Sequence, residues 1–411
     1  MFNGEKQVNW KKEPLGKICK TASGGTPSRT NQMYYQNGTI PWVKSGELEN
    51  NIITRSEEFI TEVGVLNSSA KIFPAGTLLI ALYGATIGKL AFLGIEAATN
   101  QAVCGIFQNE KISLQYLYYY LLFQRPNLIK QGVGGAQSNI SQAILKNLEV
   151  SYPDSIIEQQ RIVFTIEELF SELDKAVDTL KTTKEQLAVY RQAVLKDAFD
   201  NAQVMCKDLT PIGELLVTDR KGMSTGPFGT MLKKHEHQTT GVPMLGIENI
   251  NSGKFVDGNK IFVTPEKADE LKSFVLKSGD IIISRSGTVG ELCVVPPKMD
   301  GALLSTNLMR VSLNCQKVLP EYFVYLFQSK GIVLDQVKEL CKGSTRMFLN
   351  QTILKKIQFP IPCIDEQLQI INSIETQLTI CDNIEKTVDV ALAQADAMRQ
   401  SILKQAFEGK L

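Results

Sequence analysis

The residues best placed to do chemistry are Gly84-Ala85-Thr86-Ile87-Gly88-Lys89, the pair His235 and His237, and the carboxylates Asp154 and Glu158. A glycine-rich loop cradles nucleotide phosphates when four residues separate its glycines and a Ser or Thr follows the lysine to hold magnesium. Here three residues separate Gly84 from Gly88, and Leu90 follows the lysine. A second copy of the loop puts Glu291 at the lysine position. Nucleotide hydrolysis is therefore not its chemistry. Backbone N–H groups and a hydroxyl facing a phosphate on DNA remain a weaker demand that it could meet. The two histidines are the only ones in the chain and sit in a basic, solvated loop, so histidine general-base chemistry is confined there. Pro153, Asp154 and Glu158 read as a helix start and not as a nuclease set, because no lysine completes one. The glycines at 132, 134 and 135 have no suitable helix after them, and no Asn-Pro-Pro-aromatic motif of an amino-methyltransferase occurs. Eight cysteines without a Cys-x-x-Cys pair argue against zinc and for reduced core residues. The chain reads as non-catalytic, with no metal and no cofactor of its own.

What remains is a series of polar loops. In the first half they carry Lys44, Ser45, Gly84, Thr86, Asn100, Gln101, Gln137, Ser138 and Asn139. In the second half they carry Lys233, Lys234, Asn249, Arg285, Ser286, Thr288, Asn307 and Arg346, with Arg220, Lys221, Glu248 and Lys342 nearby. Asn, Gln, Arg and Glu read base edges, whereas Ser, Thr, Lys and backbone N–H groups hold phosphates. These residues are the DNA-binding candidates. The net charge is only +1, so positive charge must be local or come from a partner. The loops of the second half are the more basic.

The elements that must position these loops are written twice. Arg191-Gln192-Ala193-Val194-Leu195-Lys196-Asp197-Ala198-Phe199 reappears as Arg399-Gln400-Ser401-Ile402-Leu403-Lys404-Gln405-Ala406-Phe407. Ile40-Pro41-Trp42-Val43 reappears as Val242-Pro243-Met244-Leu245, and Thr99-Asn100 as Thr306-Asn307. The whole 411-residue chain is a domain followed by a long helix, then the same again about 200 residues later. That is a duplicated domain and not a solenoid repeat of 20–50 residues, and duplication builds pseudo-two-fold symmetry into one chain.

Each long helix carries a heptad seam. In the first it is Ile162, Ile166, Leu169, Leu173, Ala176, Leu180, Leu187, Tyr190 and Val194, broken at Thr183. In the second it is Ile370, Ile374, Cys381, Ile384, Val388, Ala391, Ala395, Met398 and Ile402, broken at Gln377. Such a seam stays on one face only by supercoiling against a partner. Helices of about 40 residues would span roughly 60 Å, a rod suited to hold two domains apart. The predicted fold is α+β: two similar mixed α/β domains separated by two long helices that pair as an antiparallel coiled coil. The boundaries expected are 1–156 and 201–363 for the domains, and 157–200 and 364–411 for the helices. Antiparallel pairing would return the end of the chain close to its beginning. The polar, basic start and the lack of a long apolar run predict no signal peptide, no membrane and a cytoplasmic location.

This order of motifs resembles the specificity subunit of Type I restriction–modification enzymes over essentially the whole chain. The resemblance rests on Gly24-Gly25-Thr26-Pro27-Ser28, on Ile40-Pro41-Trp42-Val43-Lys44-Ser45-Gly46-Glu47-Leu48, and on the Gly84 to Gly88 loop. It rests also on Asn139-Ile140-Ser141 before Leu145, and on Glu158-Gln159-Gln160 and Glu366-Gln367-Leu368 opening the long helices. The second copy departs from the pattern at Met347-Phe348-Leu349-Asn350. The resemblance implies two target-recognition domains, each reading one half of a bipartite double-stranded DNA target, with the coiled coil setting the unread spacer. It implies two methyltransferase subunits that bring S-adenosylmethionine and catalysis, and restriction/translocase subunits that join for cleavage. Arg191, Gln192, Lys196 and Phe199, with Arg399, Gln400, Lys404 and Phe407, are then the expected methyltransferase-docking residues. A methyltransferase-only or Type IIB-like system, a cryptic enzyme, and a coiled-coil adaptor for protein ligands are the competing readings. The target bases and the spacer length are not legible in one sequence.

Overall fold

The computed structural model describes residues 9–132, 139–205, 209–228, 231–285, 290–329, 331–340 and 349–411. Two compact units divide the chain, one built from residues 1–180 and 390–411, the other from 181–389. Each therefore holds one mixed domain, together with part of each long helix.

In the first unit Trp10–Pro14 pairs antiparallel with Glu149–Pro153 and closes the domain at the base of the helix. A five-stranded sheet runs in the order Thr21–Ser23, Val103–Ile106, Leu78–Ala81, Leu90–Leu93, Asn51–Ile53. A four-stranded sheet runs Phe59–Ile60, Ile40–Val43, Ala97–Thr99, Ile72–Phe73. Leu78–Ala81 is buried at every position, as an unbroken apolar run demands when both sheet faces are covered. Gly76, at φ 85°, turns the chain into that strand, a conformation open to glycine without the Cβ penalty. Leu114–Gln131 forms a helix whose Tyr116, Tyr119 and Tyr120 pack on Phe170 and Phe407 of the long helices.

The second unit repeats this plan. Leu209–Pro211 pairs with Gln358–Pro360. A four-stranded sheet runs Met223–Thr225, Leu308–Val311, Ile281–Ser284, Leu292–Val294, and a three-stranded one Ile261–Val263, Val242–Leu245, Leu303–Leu304. The parallel pairing of Trp42 with Ala98 is matched by Met244 with Leu303. Gly279, at φ 84°, stands where Gly76 stood. Of the departure at Met347-Phe348-Leu349-Asn350, Met347 and Phe348 lie outside the described residues, while Asn350 takes over the capping part of Ser141. Ser141 Oγ accepts from Ile144 N at 3.1 Å to cap the short helix that follows it. Asn350 Oδ1 accepts from Ile353 N at 2.8 Å and caps the matching helix.

The long helices are Ile156–Met205 and Ile364–Phe407. Within each unit they run antiparallel, the start of one beside the end of the other. Arg399 bonds Asp174 in the first unit, while Arg191 meets Asp382 at 2.7 Å and Glu385 at 2.9 Å in the second. Most of the expected seam is buried or half-buried, Ile162, Ile166, Leu187, Ile374, Cys381, Val388 and Ala395 fully, and it departs from expectation only at single positions. Ala176, Tyr190, Ile384 and Met398 face solvent, while Leu195, Ile371 and Leu403 are buried. Where two candidate seam residues adjoin, packing chooses one. At Tyr190-Arg191 it chooses the arginine, whose apolar stem lies on the partner helix while its head reaches two carboxylates. Tyr190 instead donates its hydroxyl to Gln377 Oε1 at 2.6 Å.

A buried glutamine anchors the start of each helix. Gln159 Oε1 accepts from Ser113 N at 2.8 Å, and its Nε2 donates to Lys111 O at 3.0 Å and Pro153 O at 2.8 Å. Gln367 repeats this toward Leu319 N, Lys317 O and Pro362 O at 2.9, 2.9 and 2.8 Å. At the other end of the second helix, Gly409 lies against Trp10, so the chain's end comes back to its first described strand.

Candidate nucleic-acid interface

In the first domain the turn after Ile40–Val43 brings Lys44, Ser45 and Asn100 into one open cleft of about 990 Å3, with Glu47, Glu49 and Glu57 on its walls. Glu47 shapes the turn, accepting from Lys44 N at 2.7 Å and Glu57 N at 3.2 Å. Lys44 Nζ meets Glu58 at 2.9 Å, and Arg29 meets the same carboxylate at 2.8 Å. The hydrogen bond from Lys44, with Arg29 beside it, holds Glu58 below the usual carboxylate range, and that bond raises Lys44 in turn. Arg29 also lies over the rings of Tyr35 and Trp42, 4.6 and 4.9 Å from their centroids, a placement that favours a planar guanidinium. Gln101 bonds Thr26 beside Asn100. The Oδ1 of Asn100 is buried and has no protein partner among the described residues.

The Gly84 loop forms a separate turn. Its Ile87, Gly88 and Lys89 N–H groups bond to Gly84 O, Ala81 O and Thr86 O, and Thr86 donates its hydroxyl to Tyr83 O at 2.8 Å. Those four donors are spent inside the protein. Asn139 bridges to Tyr83 beside the loop. Gln137 and Ser138 lie outside the described residues, as do Ser286, Thr288 and Arg346.

In the second domain Arg285 and Asn307 come together. Arg285 N donates to Asn307 O at 3.1 Å, and the Arg285 guanidinium lies 5.2 Å over the exposed ring of Phe228. Burial lowers the Arg285 pKa. Lys233 and Lys234 flank and open a short 3-10 turn, Lys234–Glu236, whose Glu236 is held down by Lys267 at 2.8 Å. Asn249 is a correction to the sequence reading. It is fully buried, accepting from Gly246 N at 2.9 Å and donating to Val256 O at 3.0 Å, so it builds its turn and presents nothing to a base.

The expected docking residues divide in the same way. Phe199 and Phe407 are buried in the two unit cores, and Arg191 and Arg399 are paired across the helices. Gln192 is half-buried, which leaves Lys196, Gln400 and Lys404 exposed on the helices. Sequence reasoning passed over Arg29 and Phe228. Their signal was position: each follows the Gly-Thr-Pro or Gly-Pro turn that opens its domain.

A model of the family described as the Type I restriction modification DNA specificity domain matches residues 7–188 and 228–394. The specificity subunit of the Type I restriction enzyme StySPI from Salmonella potsdam is 22% identical, the match covering 100% of this chain and 91% of that protein. The EcoKI specificity subunit from Escherichia coli strain K12 is 24% identical with the same coverage, 100% and 91%. A solved structure from work on complex assembly and conformational transition of the type I R-M system superposes with a TM-score of 0.74 at 16% identity, covering 99% of this chain and 100% of that one. The HsdS subunit from Thermoanaerobacter tengcongensis gives 0.53 at 16% identity, each chain covered in full. At these identities the solved structures show a shared fold.

Proposed function

The chain belongs to the Type I restriction–modification DNA specificity family, and from that premise we propose that each of its domains reads one half of a split DNA target. Sequence-specific DNA recognition within a Type I complex is its role; it is not the catalytic subunit. The observation that carries the two-half reading is one scaffold with two different surfaces. The central strand pairings recur in both domains, yet Lys44, Ser45, Glu47 and Asn100 line the first cleft, while Phe228, Arg285 and Asn307 cluster in the second domain. Matching folds give the same docking geometry, and unlike side chains give unlike base preferences.

The paired helices set the gap between half-sites, so that two weak recognitions act as one through effective concentration. Residues 1–156 and 201–363 act as the reading domains. Lys196, Gln400 and Lys404 are the exposed part of the surface that meets methyltransferase subunits, one at each equivalent helix end. Those subunits bring S-adenosylmethionine, restriction subunits join them, and the assembly works in the cytoplasm. No helix among the described residues is long and apolar enough to cross a membrane. Co-expression with a partner modification subunit, read by methylation-sensitive sequencing, should show one bipartite motif. Exchanging residues 1–156 for those of a relative should change one half only. A continuous motif, or both halves changing together, would overturn the reading.

A further inference from the structure

The duplication supplies an internal control, and one layer of the two domains fails to match. In the first domain Gly105 lies between Leu79 and Ala22 on neighbouring strands. In the second, Arg310 holds that place between Ile282 and Ser224. Gly105 lacks a side chain because the Phe73 ring occupies the space: a Cβ there would lie 2.5 Å from Phe73 Cε1. Phe73 in turn stacks on Phe107, centroids 5.8 Å apart. The layer is dry and aromatic.

In the second domain the same layer is charged. Arg310 is only 4% exposed. Its Nη1 donates to Val275 O at 2.6 Å and its Nη2 to Lys221 O at 3.0 Å. Both partners are neutral carbonyls, and its buried Nε has no partner among the described residues. Burial lowers its pKa. The neighbouring carboxylate, Asp280, is engaged by both Nη atoms of Arg220 and by Lys277 N at 2.8 Å. Arg310 and Arg220 line an open cleft of about 690 Å3, whose rim carries Lys221, Lys272 and Lys277. Those three lysines are exposed and form no ion pair among the described residues. A buried guanidinium without a carboxylate of its own is costly unless an anion completes it. Five cations around one committed carboxylate attract an oxyanion, and Phe228 joins the cleft to the Arg285 cluster.

We propose that this cleft grips the phosphate backbone of the DNA, so that the second domain holds the duplex electrostatically and the first does not. The inference rests on the DNA-reading function above and adds to it a division of labour. Reading stays with both domains, and sequence-independent affinity is concentrated in one.

The test uses the full chain assembled with its modification subunits, and fluorescence anisotropy with a target duplex and a random duplex across a salt series. The triple variant Lys221→Gln, Lys272→Gln, Lys277→Gln changes only exposed side chains. It should weaken both duplexes alike and lower the slope of log K against log salt by about 2–3, near 0.9 for each phosphate no longer neutralised. Arg310→Met should weaken both duplexes in the same way, provided its melting is unchanged. An unchanged salt slope in the triple variant, with wild type still preferring its target, overturns the cleft and spares the reading. A wild-type complex that binds no duplex overturns both. Inorganic phosphate distinguishes the remaining source. If millimolar phosphate raises the melting temperature of wild type but not of the triple variant, and the DNA slope does not move, the cleft takes free phosphate and the backbone assignment fails.

Discussion

Phe407 meets Tyr116 edge to face, ring centroids 5.3 Å apart at 90°, so the last turn of the second long helix is locked into the first domain. Phe199 meets Tyr322 in the same manner at 5.4 Å, which locks the first helix, near its end, into the second domain. Each helix thus starts from one domain on a glutamine and ends in the other on a phenylalanine. Truncating a buried phenylalanine costs about 3–5 kcal/mol. Phe407→Ala should lower amide protection in Leu114–Gln131, and Phe199→Ala should do so in Pro320–Gln328, each leaving the other unit as it was. Hydrogen exchange of the two variants checks this; equal loss in both helices would show that the ends are not independent locks.

The glutamine anchors make a second prediction. Gln159→Leu keeps the size of the side chain but strands one N–H and two carbonyls that Gln159 now satisfies. Each unsatisfied buried group costs about 1–3 kcal/mol. A loss of at least about 2 kcal/mol in urea unfolding is expected for Gln159→Leu and, by the same reasoning, for Gln367→Leu. A loss below about 0.5 kcal/mol would mean that water replaces the side chain at no cost.

The duplication, the repeated motifs and the two helices were legible because they rest on periodicity and self-comparison, whereas the order of strands in each sheet was not. Which of two adjoining residues turns inward at single seam positions was not legible either. Tyr190 and Arg191 adjoin, and only packing decides that the arginine's stem turns inward while the tyrosine takes Gln377. Polar side chains were harder still. Asn249 and Asn307 look alike in sequence, yet one is a buried turn-former and the other an exposed loop residue. A local hydrogen bond to backbone leaves no periodic trace. Arg310 was legible in principle. Laying Leu-Met-Arg-Val on Val-Cys-Gly-Ile puts a charge into a strand whose twin is apolar throughout.

Glu58 gives the first domain a pH dependence of known sign. Its carboxyl is depressed by the hydrogen bond from Lys44 and by Arg29. A group depressed on folding stabilises above its unfolded value, 4.5 here, and that contribution is lost as pH falls through the lower folded value. The pair is partly exposed, so the contribution should stay below about 1 kcal/mol. Glu58→Gln should lower the melting temperature slightly at neutral pH, where the carboxylate is charged, and flatten the fall of the melting profile on the acid side below about pH 4.5. The same change leaves Lys44 only Glu57, 3.5 Å away, as a carboxylate partner and should tighten random-duplex binding slightly at low salt. Unaltered acid sensitivity together with unaltered binding would show that the Lys44–Glu58 pair matters to neither.

The closeness of Gly409 to Trp10 makes the chain suited to circular permutation. The two closing strand pairs, Trp10–Pro14 with Glu149–Pro153 and Leu209–Pro211 with Gln358–Pro360, each begin a domain from its own base. Joining the termini by a short flexible linker and reopening the chain between Met205 and Leu209 exchanges one connection for its equivalent. It breaks neither strand pair and neither Phe–Tyr lock. Tolerance of new termini follows the burial and bonding of the backbone that is cut. The permuted chain should keep the wild-type melting temperature within a few degrees and assemble with the same modification subunits. A permuted chain that melts early, but recovers when the original termini are restored, would show that the covalent order of the two halves is needed for the helices to pair.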